Sequence, residues 1–270
     1  MALKLVVIGT GYLGATHAAC MAELGFEVIG VDIDAEKVAV LNAGRVPFYE
    51  PGLDEVLDRN IATGRLRFTT DFAEAGSWGD VHFICVGTPQ KKGSNAADMT
   101  QVFGAVDALA PHVRADALVV GKSTVPVGTA DEVERRIAEA SGARTAWNPE
   151  FLREGFAVED TLRPDRLVIG VRNAEDEAVM RRVYAPLLDA GVPMVVTDFA
   201  TAELVKVSAN AFLATKISFI NAMAEVCEAA GGDVVKLAEA IGYDPRIGNR
   251  FLAAGLGFGG GCLPKDIRAF

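Results

Sequence analysis

Residues 3 to 14 read Leu3-Lys4-Leu5-Val6-Val7-Ile8-Gly9-Thr10-Gly11-Tyr12-Leu13-Gly14, a β-rich run that breaks into a Gly-x-Gly-x-x-Gly motif. Tyr12 to Leu24 then carries a helical pattern closed by Gly25, and Phe26 to Val31 is a second strand. A glycine motif set between a strand and a helix is the context that gives it meaning. Gly9 permits the tight turn, Gly11 lets backbone approach a pyrophosphate met by the helix N-terminus, and Gly14 allows close packing of helix on strand. Tyr12 and Leu13, which open the helix, are counted with this site. Asp32 ends the second strand, where a carboxylate can accept hydrogen bonds from adenosine ribose hydroxyls and repel a 2′-phosphate. The expected cofactor is therefore NAD, with Lys37 the nearby residue that could instead favour NADP.

Outward from this unit the alternation continues. Apolar runs at Val81 to Val86, Ala117 to Val120 and Thr145 to Trp147 read as strands, with helical stretches between them at Met99 to Leu109 and Thr129 to Ala140. Leu167 to Val171 and Pro193 to Thr197 read as late strands of the same sheet, separated by a helix from Glu175 to Leu188. The pattern is α/β, a doubly wound parallel Rossmann sheet. Ala200 to Ala230 is Ala-rich and apolar, with neither proline nor internal glycine, and predicts one helix of roughly eight turns. Val234 to Ile241 follows as a further helix after Gly231-Gly232. The expected organisation is an NAD-binding Rossmann domain over residues 1–198 and a helical central domain over 199–270. A helix apolar on so much of its surface needs a cover, and dimerisation through it is the expected answer. Lys265 to Phe270 reads as the start of a helix left incomplete, as though the sequence were cut.

Composition excludes several classes. The 270 residues are half apolar and 23% charged, as a folded globular chain requires. A net charge of −10 opposes polyanions, so no nucleic-acid partner is expected, and an anionic small molecule must be held by helix N-termini and single cations. No run of about 18 apolar residues marks a membrane span, and the opening apolar stretch is too short for a signal peptide. Cys20, Cys85, Cys227 and Cys262 lie far apart with no metal-ligand spacing, so no metal site is expected and reduced cytoplasmic thiols are the default.

Three of these cysteines sit inside apolar helix or strand patterns and read as buried and inert. Cys262 instead sits in Gly257-Phe258-Gly259-Gly260-Gly261-Cys262-Leu263-Pro264-Lys265-Asp266, where glycines bring backbone close to a ligand and leave the thiol reachable. This stretch resembles the nucleophile loop of the UDP-glucose/GDP-mannose dehydrogenase family. Lys122-Ser123-Thr124-Val125-Pro126-Val127-Gly128-Thr129, Asn148-Pro149-Glu150-Phe151-Leu152-Arg153-Glu154-Gly155 and Glu203-Leu204-Val205-Lys206-Val207-Ser208-Ala209-Asn210-Ala211-Phe212 resemble the family's other motifs in the same order. Ile241 to Gly248, followed by Phe251-Leu252, is more similar to the UDP-glucose branch.

The resemblance implies two successive NAD-dependent oxidations at C6 of a nucleotide sugar, UDP-glucose to UDP-glucuronate, through a thiohemiacetal and then a thioester on Cys262. It assigns Glu150 as the base for thioester hydrolysis, Glu154 as a cofactor or substrate contact, and Thr124 with Asp266 as the pair that positions water or accepts the hydroxyl proton. Thr88 and Pro89 match the loop on the nicotinamide side. Lys206 and Asn210, spaced i,i+4 on the long helix, share a face that can stabilise an oxyanion. Glu150, Phe151, Leu152, Lys206, Asn210, Arg246, Phe251, Gly257, Phe258 and Gly259 are the expected substrate contacts.

Family members continue into a further domain that closes over the sugar nucleotide, which these 270 residues do not contain. Two alternatives follow. One is a dehydrogenase of the same mechanism acting on GDP-mannose or a UDP-N-acetylhexosamine. The other is a binding and assembly module that holds NAD and dimerises without catalysis.

Overall fold

The computed structural model describes residues 3–259 and 263–269. Cys262, together with Gly260 and Gly261, lies outside the described residues. In chain order the elements are β1 (Lys4–Ile8), α1 (Tyr12–Glu23), β2 (Glu27–Val31), α2 (Ala35–Asn42), α3 (Leu53–Ala62), β3 (Leu66–Thr69), α4 (Phe72–Trp78), β4 (Val81–Ile84), α5 (Thr100–Leu109), β5 (Leu118–Gly121), α6 (Thr129–Ser141), β6 (Arg144–Trp147), α7 (Ala157–Leu162), β7 (Leu167–Gly170), α8 (Ala174–Val183), α9 (Ala185–Asp189), β8 (Met194–Thr197), α10 (Phe199–Ala230), α11 (Val234–Gly242) and α12 (Leu263–Ala269).

The eight strands form one sheet in the order β3-β2-β1-β4-β5-β6-β7-β8. β1, β4 and β5 are continuous Val/Ile/Leu/Phe-rich runs buried along nearly their whole length, as expected of strands covered on both faces. The order reverses between β1 and β4, where two crossovers leave in opposite directions and open a crevice at the carboxyl ends of the strands. α1 closes one side of that crevice. Its Ala15, Ala18, Ala19 and Ala22 are fully buried, and their small side chains let the helix lie close to the sheet.

The expectation of an all-parallel sheet is corrected at one junction. β7 pairs with β6 antiparallel, through Trp147 and Gly170, and β8 pairs parallel with β7. An antiparallel neighbour must re-enter the sheet from the end at which the preceding strand left it. The connection from Asn148 to Arg166 therefore starts and finishes at the carboxyl end of β6, the ligand side of such a sheet. The single helix expected from Glu175 to Leu188 is also corrected to two, α8 and α9, broken at Tyr184. Pro186 has no N–H to continue the ladder, which accounts for the break. α2, α3, β3, α4 and α7 had no counterpart in the sequence reading.

The chain divides into two compact units, one of residues 1–89 and 97–204, the other of residues 90–96 and 205–270. In the first, the Glu203 carboxylate accepts hydrogen bonds from the backbone N–H groups of Gly128 (2.8 Å) and Ala130 (2.7 Å), so a residue of α10 caps the start of α6. α10 is a helix of 32 residues, of which residues 199–204 belong to the first unit and residues 205–230 to the second. At 1.5 Å per residue it is about 48 Å long. Lys216 Nζ donates to the carbonyls of Ile247 (2.9 Å) and Gly248 (3.4 Å), and Gly255 N–H donates to Asn221 Oδ1 (2.8 Å), which ties the segment after α11 to this helix. Among the described residues no helix is long and apolar enough to cross a membrane.

Candidate active site

The glycine loop follows from β1 and occupies the crevice. Gly9 has φ +85°, a conformation that L side chains rarely adopt, and a Cβ there would also meet Val86 Cγ1 at 2.6 Å. A Cβ on Gly14 would meet the carbonyl oxygen of Gly9 at 1.8 Å, so the first turn of α1 lies directly against the loop. A Cβ on Gly11 would meet nothing within 4 Å. Gly11 therefore faces open space in front of the helix, where a pyrophosphate would approach. α1 begins without a side-chain cap and with no acidic residue in its first turn, whereas α2, α4, α8 and α11 are each capped by an Asp or Asn side chain. Its N-terminal N–H groups are thus left to an anion. The cradle fits a dinucleotide.

Asp32 closes β2 beside this loop and is 7% exposed. Its Oδ2 accepts from Thr10 N (2.9 Å), Thr10 Oγ1 (3.0 Å) and Lys37 Nζ (2.9 Å), and its Oδ1 accepts from Asp34 N (3.1 Å). Burial opposes ionisation, but the hydrogen bonds from Lys37, Thr10 and Asp34 outweigh it and hold the carboxyl below its ordinary value. Lys37 is thus committed to Asp32 rather than standing open to a 2′-phosphate. NAD should bind at least about tenfold more tightly than NADP, since one contact to a charged group is worth roughly 1.5 to 3 kcal/mol. Asp32→Ala, which also releases Lys37, should narrow that gap in titration calorimetry; equal affinities in the unaltered protein would refute the assignment.

At the carboxyl ends of β4 and β5 the two following loops are stitched together. Thr88 Oγ1 donates to the carbonyl of Thr124 (2.8 Å), and Ser123 Oγ donates to the carbonyl of Val86 (2.7 Å). Thr88 and Thr124, two candidates read from separate motifs, are thereby brought together, with the exposed Pro89 beside them. Next along the sheet, Asn148 is buried and accepts at Oδ1 from Lys122 Nζ (2.9 Å) and from the Tyr184 hydroxyl, while its amide donates to the Val168 carbonyl (3.0 Å). Burial pulls the Lys122 ammonium below the usual lysine value. This network anchors the first residue of the Asn148 to Gly155 segment.

Within that segment Glu150 is half-buried, and its Oε2 accepts from Leu152 N at 2.6 Å. The Phe151 ring lies 3.8 Å beneath the Arg166 guanidinium. Glu154 is exposed. Gly155 N–H donates to Glu50 Oε2 at 2.8 Å, and the same Glu50 oxygen accepts from the Tyr12 hydroxyl. Tyr12, expected at the cofactor site, gives its hydroxyl hydrogen bond to this carboxylate.

In the second unit, Asn210 Nδ2 donates to Asp266 Oδ2 (2.7 Å), and Lys265 pairs with Asp266 Oδ1 (3.0 Å). Asp266 is 2% exposed and Lys206 6%. Arg246 is exposed and ion-paired to Asp244 at 2.7 Å. Phe251 adopts φ +64°, the one positive value among described residues other than glycine, and lies with Gly257, Phe258 and Gly259 on exposed backbone. Among the described residues no group of His, Cys, Asp or Glu could hold a metal. Cys20, Cys85 and Cys227 are buried free thiols, and burial pushes those of Cys20 and Cys85 up to about 12.

Glu50, Lys122, Tyr184, Arg166 and Glu203 were not singled out from sequence. Lys122 and Glu203 were legible as motif members, but each acts through partners that are distant along the chain.

Strand order, glycine cradle and ribose-side carboxylate together define a dinucleotide-binding Rossmann protein. The family model of the UDP-glucose/GDP-mannose dehydrogenase NAD-binding domain matches residues 3–188, and that of the family's central domain matches 200–270. The chain belongs to the UDP-glucose/GDP-mannose dehydrogenase family and binds NAD. It is 48% identical over 272 residues to the UDP-glucose 6-dehydrogenase of Rhizobium meliloti (strain 1021), covering 99% of this chain and 62% of that protein. A solved UDP-glucose dehydrogenase from Pyrobaculum islandicum is 43% identical with a TM-score of 0.94, over 100% of this chain and 63% of that one. GDP-mannose dehydrogenase from Pseudomonas aeruginosa is 34% identical with a TM-score of 0.85, over 99% and 63%. The chain thus spans less than two thirds of these relatives.

Proposed function

We propose that this chain supplies the NAD-binding (residues 1–198) and central (residues 199–270) parts of a UDP-glucose 6-dehydrogenase, which oxidises the C6 alcohol of UDP-glucose to a carboxylate. The observation that carries the reading is its 48% identity, over 99% of its length, to a protein of that name. GDP-mannose and UDP-N-acetylhexosamine dehydrogenases are less similar, at 34% and 28% or below, and so are not favoured.

Bound NAD supplies the hydride acceptor. The first oxidation needs a proton removed from the C6 hydroxyl, and Thr124 with Asp266 serve there by resemblance. The second needs a tetrahedral adduct at C6, which the Cys262 thiolate forms by adding to the aldehyde. Lys206 and Asn210 stabilise its oxyanion. Glu150 then deprotonates the water that cleaves the thioester. Glu154 contacts the cofactor; Phe151, Leu152, Arg246, Phe251, Gly257, Phe258 and Gly259 contact the sugar nucleotide. The strained Phe251 backbone supports a site on that loop, since such conformations persist where surrounding structure over-determines them.

The decisive experiment is the ratio of NADH released to UDP-glucose consumed, in a protein extended to the relatives' full length. Two per sugar supports the four-electron reaction, one an ordinary alcohol dehydrogenase, and none a binding module. We place the protein in the cytoplasm, where reduced thiols such as Cys262 persist.

We further propose a homodimer through α10. Phe212, Phe219 and Val226 recur every seven residues, are 66%, 46% and 55% exposed, and lie opposite Lys206 and Asn210 at 100° per residue. A second copy laying the same stripe alongside would bury it. Sedimentation should give a dimer at micromolar concentration and a monomer for Phe219→Glu; a monomeric unaltered protein would refute the proposal.

A further inference from the structure

Glu50 is 4% exposed, in the loop between α2 and α3. Burying a carboxylate is costly unless donors surround it, and here three do. Oε1 accepts from Ala157 N (2.8 Å); Oε2 accepts from Gly155 N (2.8 Å) and from the Tyr12 hydroxyl. Gly155 N–H is shared with the Tyr12 oxygen at 3.2 Å. Gly155 and Ala157 lead into α7, whose own cap position is Phe156, a side chain with no acceptor. A local Ser, Asp or Asn would serve a helix start at far less cost. The cap comes instead from a carboxylate more than 100 residues away, and that carboxylate is tied to the first residue of α1.

Tyr12 is the fourth residue of the glycine motif, at the helix end that faces the pyrophosphate. The Phe48 ring packs against that of Tyr12, with centroids 5.2 Å apart. Burial and the neighbouring carboxylate push the phenol well above its ordinary value, so it stays protonated and donates. One unbroken chain of contacts thus runs from the glycine loop through Tyr12 and Glu50 to Gly155 and Ala157, and along the backbone to Glu150.

We propose that Glu50 is a positioning residue that couples NAD binding at the glycine loop to the setting of the Glu150 to Ala157 segment, through Tyr12. Its bearing on catalysis rests on the reading of Glu150 as the hydrolytic base; the coupling itself does not. Pyrophosphate binding restrains the first turn of α1, Tyr12 holds Glu50, and Glu50 closes the N–H groups of Gly155 and Ala157.

The test is amide hydrogen exchange of the 150–157 peptide, without and with saturating NAD. In the unaltered protein NAD should slow exchange there at least about fivefold. Tyr12→Phe keeps ring and packing and removes only the hydroxyl; at saturating NAD it should abolish that slowing, while NAD affinity falls roughly tenfold. Glu50→Gln should speed exchange at 155–157 with or without NAD, since an amide cannot satisfy all three donors. Absence of any NAD effect in the unaltered protein, or full NAD-dependent slowing in Tyr12→Phe, would overturn the coupling and leave Glu50 a mere cap. If acid formation survives Glu150→Gln, the base assignment fails, while the exchange result is unaffected.

Discussion

Cys262→Ser, in a protein extended to the relatives' full length, is expected to cut formation of the acid from UDP-glucose by about a thousandfold or more, the scale on which covalent enzymes lose rate when their nucleophile is removed. The reason is the second hydride. An aldehyde has no hydride to give until a nucleophile makes C6 tetrahedral, and near neutral pH a serine hydroxyl adds far less readily than a thiolate. NAD binding should persist, because the glycine loop and Asp32 supply the cradle. Glu150→Gln should fail at a later step. The thioester would form but its hydrolysis would lack a base, so intact-protein mass spectrometry should show a covalent sugar adduct on Cys262. Near-normal acid production by Cys262→Ser, or no adduct in Glu150→Gln, would exclude the thiol mechanism.

Gly14→Ala is expected to abolish measurable NAD binding and to lower the thermal midpoint, with a loss in affinity of about a hundredfold or more. The added carbon would stand 1.8 Å from the carbonyl oxygen of Gly9 and 3.2 Å from Cys85 Cβ. The clash is with backbone, which cannot rotate away as a side-chain tip can. Either the turn at Gly9 opens or α1 retreats from the sheet, and both move the helix N-terminus off the pyrophosphate. Two lost charge-assisted contacts account for a change of this size. Gly11→Ala meets no atom within 4 Å in the protein itself. It should fold with an unchanged midpoint and lose affinity alone, by intrusion on the ligand. Unimpaired NAD titration of Gly14→Ala would refute the packing argument.

The glycine loop, the central strands and α10 were legible because their signals are local. β1 and β4 are dominated by Leu, Val, Ile and Phe, and the 32 residues of α10 hold neither proline nor glycine to break a helix. α2, α3 and β3 were not read: they are only 8, 10 and 4 residues long and rely on packing against their neighbours, although α3 does carry Leu53, Val56, Leu57 and Ile61 at helical spacing. The direction of β7 was hidden for a related reason. A strand's sequence encodes its burial and not its orientation, which follows from the path of residues 148–166 between Lys122, Glu50 and Arg166. The candidate site divides along the same line. Motif residues such as Asp32, Glu150 and Lys206 could be named from sequence, whereas Glu50 and Tyr184 work through partners 105 and 36 positions away.

The carboxylate of Glu203 on the start of α6 also bears on how the protein is made. Ala130 and Glu203 are 73 residues apart. At ribosomal rates of roughly 5 to 20 residues per second, α6 waits about 4 to 15 s after its synthesis before its cap exists. The crossover from β5 to β6 can collapse in that interval, but its helix start stays hydrated until the first turn of α10 has left the exit tunnel. The nascent Rossmann sheet is therefore sealed by a residue of the next helix, and release of the chain before that point would yield a nucleotide fold with an open seam.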